Sequence, residues 1–169
     1  MLELIRTLYA YNSWATAHLL TALEHLSTEE LAAPGCSGHG SIRDTLAHLF
    51  TTQWGWLSWL DGSMNLNQSY GVRVSAESID TALKAAERWG PIDKQTTDLI
   101  NTLTEDKLRD IWSWSLPNGH SDSLPLWRLL THLANHGTHT RAQIIASIRR
   151  AGHEPPNIDF LNYSLTVRG

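Results

Sequence analysis

The sequence has a single cysteine and no long apolar run, and both absences limit what the protein can be. Cys36 alone cannot form an intrachain disulfide, which agrees with a reducing compartment. No segment approaches the roughly 18 apolar residues of a membrane-spanning helix. The N-terminal segment carries an acidic residue early and lacks the apolar block of a signal peptide. We therefore predict a cytoplasmic protein with no membrane partner.

Runs of basic residues are also missing. The 13 Lys and Arg residues are scattered, apart from the adjacent Arg149 and Arg150, and the formal net charge is −4. Nucleic-acid binding depends on a basic surface that neutralises phosphates. The composition therefore predicts no nucleic-acid partner.

Several catalytic motifs are absent as well. The chain has no Gly-x-Ser-x-Gly sequence, no Gly-x-x-x-x-Gly-Lys phosphate loop and no Glu-x-x-His pair of the di-iron bundles. Cys36 lies in the turn-like sequence PGCSG near His39, where a nucleophilic thiol is one interpretation and a small loop residue the favoured one.

Apolar periodicity predicts a single all-α domain over residues 1–169. The 41% apolar and 18% charged composition suits a globular protein, and few segments alternate as strands do. Four long helical segments with few strands predict a helix bundle with short extra helical turns and an irregular loop or hairpin before the last helix. The predicted helices span residues 2–26, 41–61, 75–104 (kinked or split at Gly90-Pro91) and 125–151, with loops over 63–74 and 112–124.

Tryptophan is abundant, with eight residues in a chain of 169. Core packing is the ordinary explanation, because tryptophan buries much apolar area. The alternative is a ligand pocket, since pockets are mostly apolar and lined by aromatic side chains. The tryptophan-rich second helix makes Trp54 and Trp56 the candidate pocket residues.

Histidines are concentrated in the sequence LLTHLANHGTHTRAQ, which holds His132, His136 and His139. At about 100° per residue the three share one stripe along the edge of the apolar face of the last helix. His136 lies on the inner flank of that stripe, and Thr140 points further into the core. On the second helix, His48 is likewise an edge residue with apolar neighbours.

Two interpretations of these histidines remain open. A single histidine at a core edge usually has a structural role. Two histidines spaced i, i+4 or i, i+3 on one helix can instead converge on one ion, as His132 and His136 or His136 and His139 could, and imidazole suits Zn, Ni, Fe or Cu. Three protein ligands with one open position is the catalytic zinc arrangement.

The chain resembles the DinB-like superfamily of four-helix-bundle proteins. The matching segments are YNSWATAHLL at 11–20, SIRDTLAHLFTTQWGWLSWLDG at 41–62 and LWRLLTHLANHGTHTRAQ at 126–143. Their order and spacing match over nearly the whole chain. The resemblance implies an up-down-down-up bundle with a divalent metal, Zn or Ni, at one end of its core.

The resemblance also implies a ligand set, from which this chain departs at one place. It places ligands at His48 and His136, and a third histidine where this chain has Thr140. Here the histidine is one residue early, at His139, so either His139 completes the site or Thr140 holds a water in the third position. His132 is expected to be structural or to support a ligand, and so is Gln53. Arg141 and Gln143 match the family and are expected at the surface or in packing.

The function that the resemblance implies is a metal-dependent enzyme acting on a small molecule, such as a thiol-dependent S-transferase, isomerase or hydrolase. The co-substrate would be a low-molecular-weight thiol such as bacillithiol or mycothiol, and a homodimer is common among such bundles. No catalytic residue beyond the ligands is assigned. The alternative is a bundle whose metal site has degenerated, acting as a small-ligand-binding or interaction module. The family name alone suggests DNA binding, which the net charge opposes.

Overall fold

The computed structural model describes residues 1–35, 38–116 and 119–167. The described part is mostly helical, with seven α-helices and one two-stranded sheet. In chain order the elements are α1 (Leu2–Ala22), α2 (Thr28–Ala32), α3 (Ile42–Leu60), α4 (Leu66–Gly71), α5 (Ala82–Thr102), β1 (Ile111–Ser115), β2 (Ser121–Pro125), α6 (Leu126–Arg150) and α7 (Phe160–Thr166). Short 3₁₀ turns follow α1 and precede α5 and β1.

Local capping explains where several helices begin. Ser41 accepts a hydrogen bond from the backbone of Asp44, whose side chain accepts one from the Ser41 backbone, and this reciprocal pair starts α3. Ser27 and Glu30 start α2 in the same way. Beyond α6, Gly152 adopts a φ of +88°, a conformation that favours glycine and ends the helix.

Two predicted features of the middle of the chain are wrong. The segment 63–74, predicted as loop, contains α4, which Asn65 and Gln68 start by the same reciprocal capping. The third long helix begins at Ala82 after a 3₁₀ turn and not at residue 75. Of the kink or split predicted at Gly90-Pro91, the split does not occur. Pro91 has no backbone N–H, so the Glu87 carbonyl loses its helical partner. Both residues are exposed, and water can solvate that carbonyl. Trp89 and Ile92 lie on the buried side of the helix.

The sheet is a single antiparallel hairpin that leads into α6. Ile111 pairs with Pro125 and Ser115 with Ser121. Trp112 and Trp114 share one face of β1 and are partly buried, while the alternating residues Ile111, Ser113 and Ser115 are exposed. A small sheet therefore accompanies the helices, at the place where the sequence predicts an irregular loop or hairpin.

The four long helices pack in a closed ring of contacts. Helices α1 and α3 each contact both α5 and α6. One apolar cluster contains Leu19, Phe50, Trp89 and Ile144. The second joins the other ends of the same helices, around Ile5, Leu60, Ile100 and Leu129.

A polar layer lies near the level where one apolar cluster gives way to the other. Each of the four contacts between long helices carries a polar pair at hydrogen-bond distance there. The pairs are Ser13–Asp93 (2.8 Å, α1–α5), Gln53–Thr96 (3.3 Å, α3–α5), Asn12–Arg141 (2.5 Å, α1–α6) and His48–His136 (3.0 Å, α3–α6). The Gln53–Thr96 and Asn12–Arg141 pairs are buried. Because buried polar groups require partners, these two pairs restrict how the helices can align.

No helix in the described ranges is both long enough and apolar enough to cross a bilayer.

Candidate metal and ligand site

Helices α3 and α6 bring His48 and His136 together. Their Nε2 atoms are 3.0 Å apart and their ring centroids 5.0 Å apart. Both side chains are half-buried at the edge of the core, where the helical periodicity places them. The two imidazoles either share one proton-donating hydrogen bond or turn both lone pairs toward one ion.

Both histidines are held in the neutral form. Burial, and then the nearby histidines, lower the pKa of His136 from 6.5 to about 4. Burial, followed by the influence of His39, lowers the pKa of His48 as well. Neutral imidazole is the form that binds a metal, so at pH 7 no proton has to be removed.

The sequence does not predict the position of His39 beside this pair. Its ring stacks on the His48 ring, with centroids 3.7 Å apart and planes inclined by 25°. The loop that carries it is fastened to α3, since the His39 amide donates to Thr45 Oγ1 at 3.1 Å. The predicted start of α3 at Ser41 is the one feature of the sequence that points to a fixed loop here.

His139, the contested third ligand, lies on the exposed side of α6. Its Nε2 is 3.0 Å from Gln143 Nε2, one turn further along the helix. Thr140 is 1% exposed, so position 140 faces the core, as the helical periodicity predicts. The Thr140 hydroxyl donates to the His136 carbonyl at 2.9 Å. Within the described residues, neither side chain forms a hydrogen bond or a ring contact with His48.

The donors therefore supply two coordination positions. Among the described residues, no group of three His, Cys, Asp or Glu side chains is arranged to hold a metal ion. His136 Nδ1 is buried and has no hydrogen-bond partner in that part of the chain, whereas metal-binding histidines usually donate from their second nitrogen. Two neutral imidazoles with adjacent Nε2 atoms fit a metal ion whose other ligands are not protein side chains. Cys36 lies outside the described residues.

A cavity of about 550 Å³ opens beside His48. Trp56, Trp59 and Trp114 supply most of its aromatic wall. Trp59 lies edge-on to both others, at 5.8 Å from Trp56 and 6.4 Å from Trp114. Of the two predicted pocket residues, the structure places Trp56 in this wall. Trp54 packs against the first apolar cluster, with the Arg88 guanidinium 5.4 Å from its ring.

The remaining candidates have packing contacts. His132 is exposed and lies edge-on to Trp56 at 5.9 Å. Gln53 is buried and donates to Thr96 on α5. Arg141 is wholly buried against α1, which makes it a packing residue and excludes the surface position.

We expect the neutral state of His136 to make stability depend on pH. Its pKa is about 4 in the folded protein and near 6.5 in the unfolded chain, so between these values the unfolded chain binds more protons. Stability is therefore lost as pH falls from 6.5 toward 4. After a discount for partial exposure, the loss is about 1–2 kcal/mol.

Urea unfolding with a chelator, at pH 7 and pH 4.5, measures this effect. His136→Gln should lose about 1–2 kcal/mol less than the unaltered protein over that interval. Equal losses in both proteins would contradict the assignment.

These features define a class: a mostly helical protein with a neutral histidine pair between two long helices, beside a tryptophan-lined cavity. The DinB family model matches residues 1–166, and the chain belongs to the DinB family. Protein DinB of Bacillus subtilis (strain 168) is similar to it, with 26% identity over 162 residues. That alignment covers 90% of this chain and 89% of the Bacillus protein.

Proposed function

We propose that the protein binds a divalent metal, Zn or Ni, through His48 and His136 and acts on a small molecule held in the adjacent cavity. The observation that carries the proposal is the 3.0 Å separation of two Nε2 atoms on neutral imidazoles, one of which lines the cavity. Imidazole nitrogen suits both metals.

The two histidines would leave coordination positions open toward the cavity. His48 and His136 would hold the metal, and the chemistry that it would supply is a lower pKa for a thiol or water near neutral pH. The protein's own contribution is to keep both imidazoles neutral by burial and to present apolar walls that exclude water from the reacting groups. A low-molecular-weight thiol is the co-substrate that we propose.

Metal titration of chelator-treated protein by calorimetry tests this function. We expect about one Zn or Ni per chain, and affinity at least tenfold weaker in His48→Ala and in His136→Ala. His132→Ala, on the same helix as His136, is the matched control and should change affinity less than about threefold. Absence of binding in the unaltered protein would refute the metal function. An equal loss of affinity in His132→Ala would mean that the ion does not bind at the His48–His136 pair.

A second candidate function is supported by the lack of a third ligand among the described residues. Thr140 faces the core where a histidine would be needed, and its hydroxyl is engaged by the helix backbone. In this alternative the bundle binds a small ligand in the cavity without a metal. Ligand binding by a protein that takes up no metal would favour it.

We further infer that the long helices form an up-down-down-up four-helix bundle. Supporting this, the first apolar cluster gathers the C-terminal halves of α1 and α6 with the N-terminal halves of α3 and α5. The second cluster gathers the opposite halves. Helices α1 and α6 would thus run together, against α3 and α5.

A further inference from the structure

We propose that the tryptophan-lined cavity takes an apolar, aromatic-sized molecule that carries one anionic group, and that Arg73 binds this group. The inference deepens the small-molecule part of the proposed function and rests on it. It does not require the metal. The evidence is the composition of the cavity wall, the placement of Arg73 and the way the segment around Arg73 is fixed.

The wall of the cavity is apolar except for a few polar groups. Three tryptophan rings, Leu66 and Leu116 form much of it. The volume of about 550 Å³ lies in the range that accommodates drug-sized ligands. Aromatic walls favour a flat ligand, because edge-on and offset ring contacts add to apolar burial.

Arg73 is the charged side chain of this wall. Among the described residues that line the cavity, none is an aspartate or glutamate. The whole chain carries a net charge of −4, so a cation here without an acidic neighbour in the wall is not a general property of the surface. An arginine beside apolar walls favours a carboxylate, sulfonate or phosphate, because its fork of N–H groups matches two oxygen atoms.

One edge of the Arg73 guanidinium remains available to a ligand. Its Nη1 donates to the carbonyls of Tyr70 and Val72, at 2.8 Å and 2.5 Å. Its Nε and Nη2 make no hydrogen bond or ion pair within the described ranges of the chain. The bonds through Nη1 fix the guanidinium and thereby reduce the entropy that binding would cost.

The backbone around Arg73 is anchored on both sides. Val72 and Val74 are buried, and the Val74 amide donates to Thr51 Oγ1 of α3 at 2.8 Å. Helix α4 lies directly on α3, because a Cβ at Gly55 would be 2.8 Å from the Ser69 carbonyl oxygen. The close contact between α4 and α3 therefore positions this wall of the cavity and Arg73, which follows α4 in the chain.

Calorimetry on chelator-treated protein tests the proposal with two probes of one shape. We expect 2-naphthoate to bind at about one per chain, and the neutral alcohol 2-naphthalenemethanol at least fivefold more weakly. Arg73→Gln should weaken 2-naphthoate at least fivefold and leave the alcohol within twofold. Arg73→Lys should keep part of the preference, and Trp59→Leu should weaken both probes.

The proposal is overturned by any of three results: neither probe binds, or the unaltered protein binds both probes with equal affinity, or Arg73→Gln weakens the binding of both probes equally. Because no metal is present, the outcome is independent of the metal titration. A protein that prefers 2-naphthoate but takes up no Zn or Ni would refute the metal site and keep the anion site.

Discussion

Arg141→Ala should lower the free energy of unfolding by about 4 kcal/mol, the largest stability effect that we expect from one substitution. Arg141 is wholly buried, and its Nη1 donates to Asn12 Oδ1 at 2.5 Å and to Thr16 Oγ1 at 3.2 Å. Its guanidinium also lies 5.6 Å from the Tyr11 ring. Truncation removes these bonds, leaves the Asn12 oxygen unsatisfied and opens a cavity.

An opposing effect acts on the same residue. The partners of the guanidinium are neutral, so desolvation lowers the Arg141 pKa without a carboxylate to offset it. Arginine nevertheless stays protonated at neutral pH. Replacing both members of such a contact by apolar side chains can be nearly neutral, whereas removing one member leaves a buried group unpaired. We therefore expect the loss of one partner to dominate.

A double-mutant cycle with Arg141→Met and Asn12→Leu separates the two effects. Each single variant should lose about 2–3 kcal/mol in urea unfolding, and the double variant at least about 1 kcal/mol less than the sum. A neutral or stabilising Arg141→Met would show that the desolvation penalty outweighs the contact. Gly137 lies close against the same contact, since a Cβ there would be 2.6 Å from Asn12 Oδ1. The Asn12 oxygen is therefore tightly enclosed, which supports the expected cost of leaving it unpaired.

Periodicity and capping predict the long helices well: the last helix, expected over 125–151, spans Leu126–Arg150. The inward direction of position 140 also follows from the wheel. These features are local, and local pattern determines them.

Features that depend on distant contacts are the ones the sequence does not predict. Arg141 is buried because Asn12, 129 residues away in the chain, supplies its acceptor. His39 joins the histidines because its loop is bonded to Thr45 and lies over His48. Pro91 remains within a helix because its environment is exposed, which no propensity reveals.

The wall formed by α4 is a different case, because a local pattern for it exists. Asn65-x-x-Gln68 is a reciprocal cap, as is Ser27-x-x-Glu30, and this pattern would have predicted a helix in the segment 63–74. The polar, turn-rich composition of the segment favoured a loop instead. The loop prediction gives Arg73 no role, although Arg73 borders the same cavity as His48.

The polar layer connects the fold with the proposed site. The His48–His136 pair occupies the α3–α6 contact, while amide, hydroxyl, carboxyl and guanidinium groups occupy the other three. A polar pair at this contact is thus part of a ring of pairs around the long helices. A metal between the two imidazoles would replace one such pair without disturbing the others.

Thr140→His should raise Zn affinity about a hundredfold relative to the unaltered protein. Position 140 lies one helical turn after His136 and is buried, so a histidine there would share a face with His136. The hydroxyl bond that Thr140 loses ends on a backbone carbonyl of the same helix, which limits the cost to the fold. A third imidazole completes the three-histidine arrangement of catalytic zinc.

Calorimetry with matched variants decides whether that gain comes from ligation. Thr140→Leu fills similar space without a nitrogen donor and should leave Zn affinity within about threefold. His48→Ala in the Thr140→His protein should remove at least tenfold of the gained affinity if one ion is shared. Unchanged affinity in Thr140→His would mean that the third position is already filled. His39→Ala and His139→Ala would then show which ring fills it, because the responsible variant alone would weaken Zn binding. A fall in affinity after Thr140→His would instead place the metal away from this face of α6, and the two-histidine site would have to be abandoned.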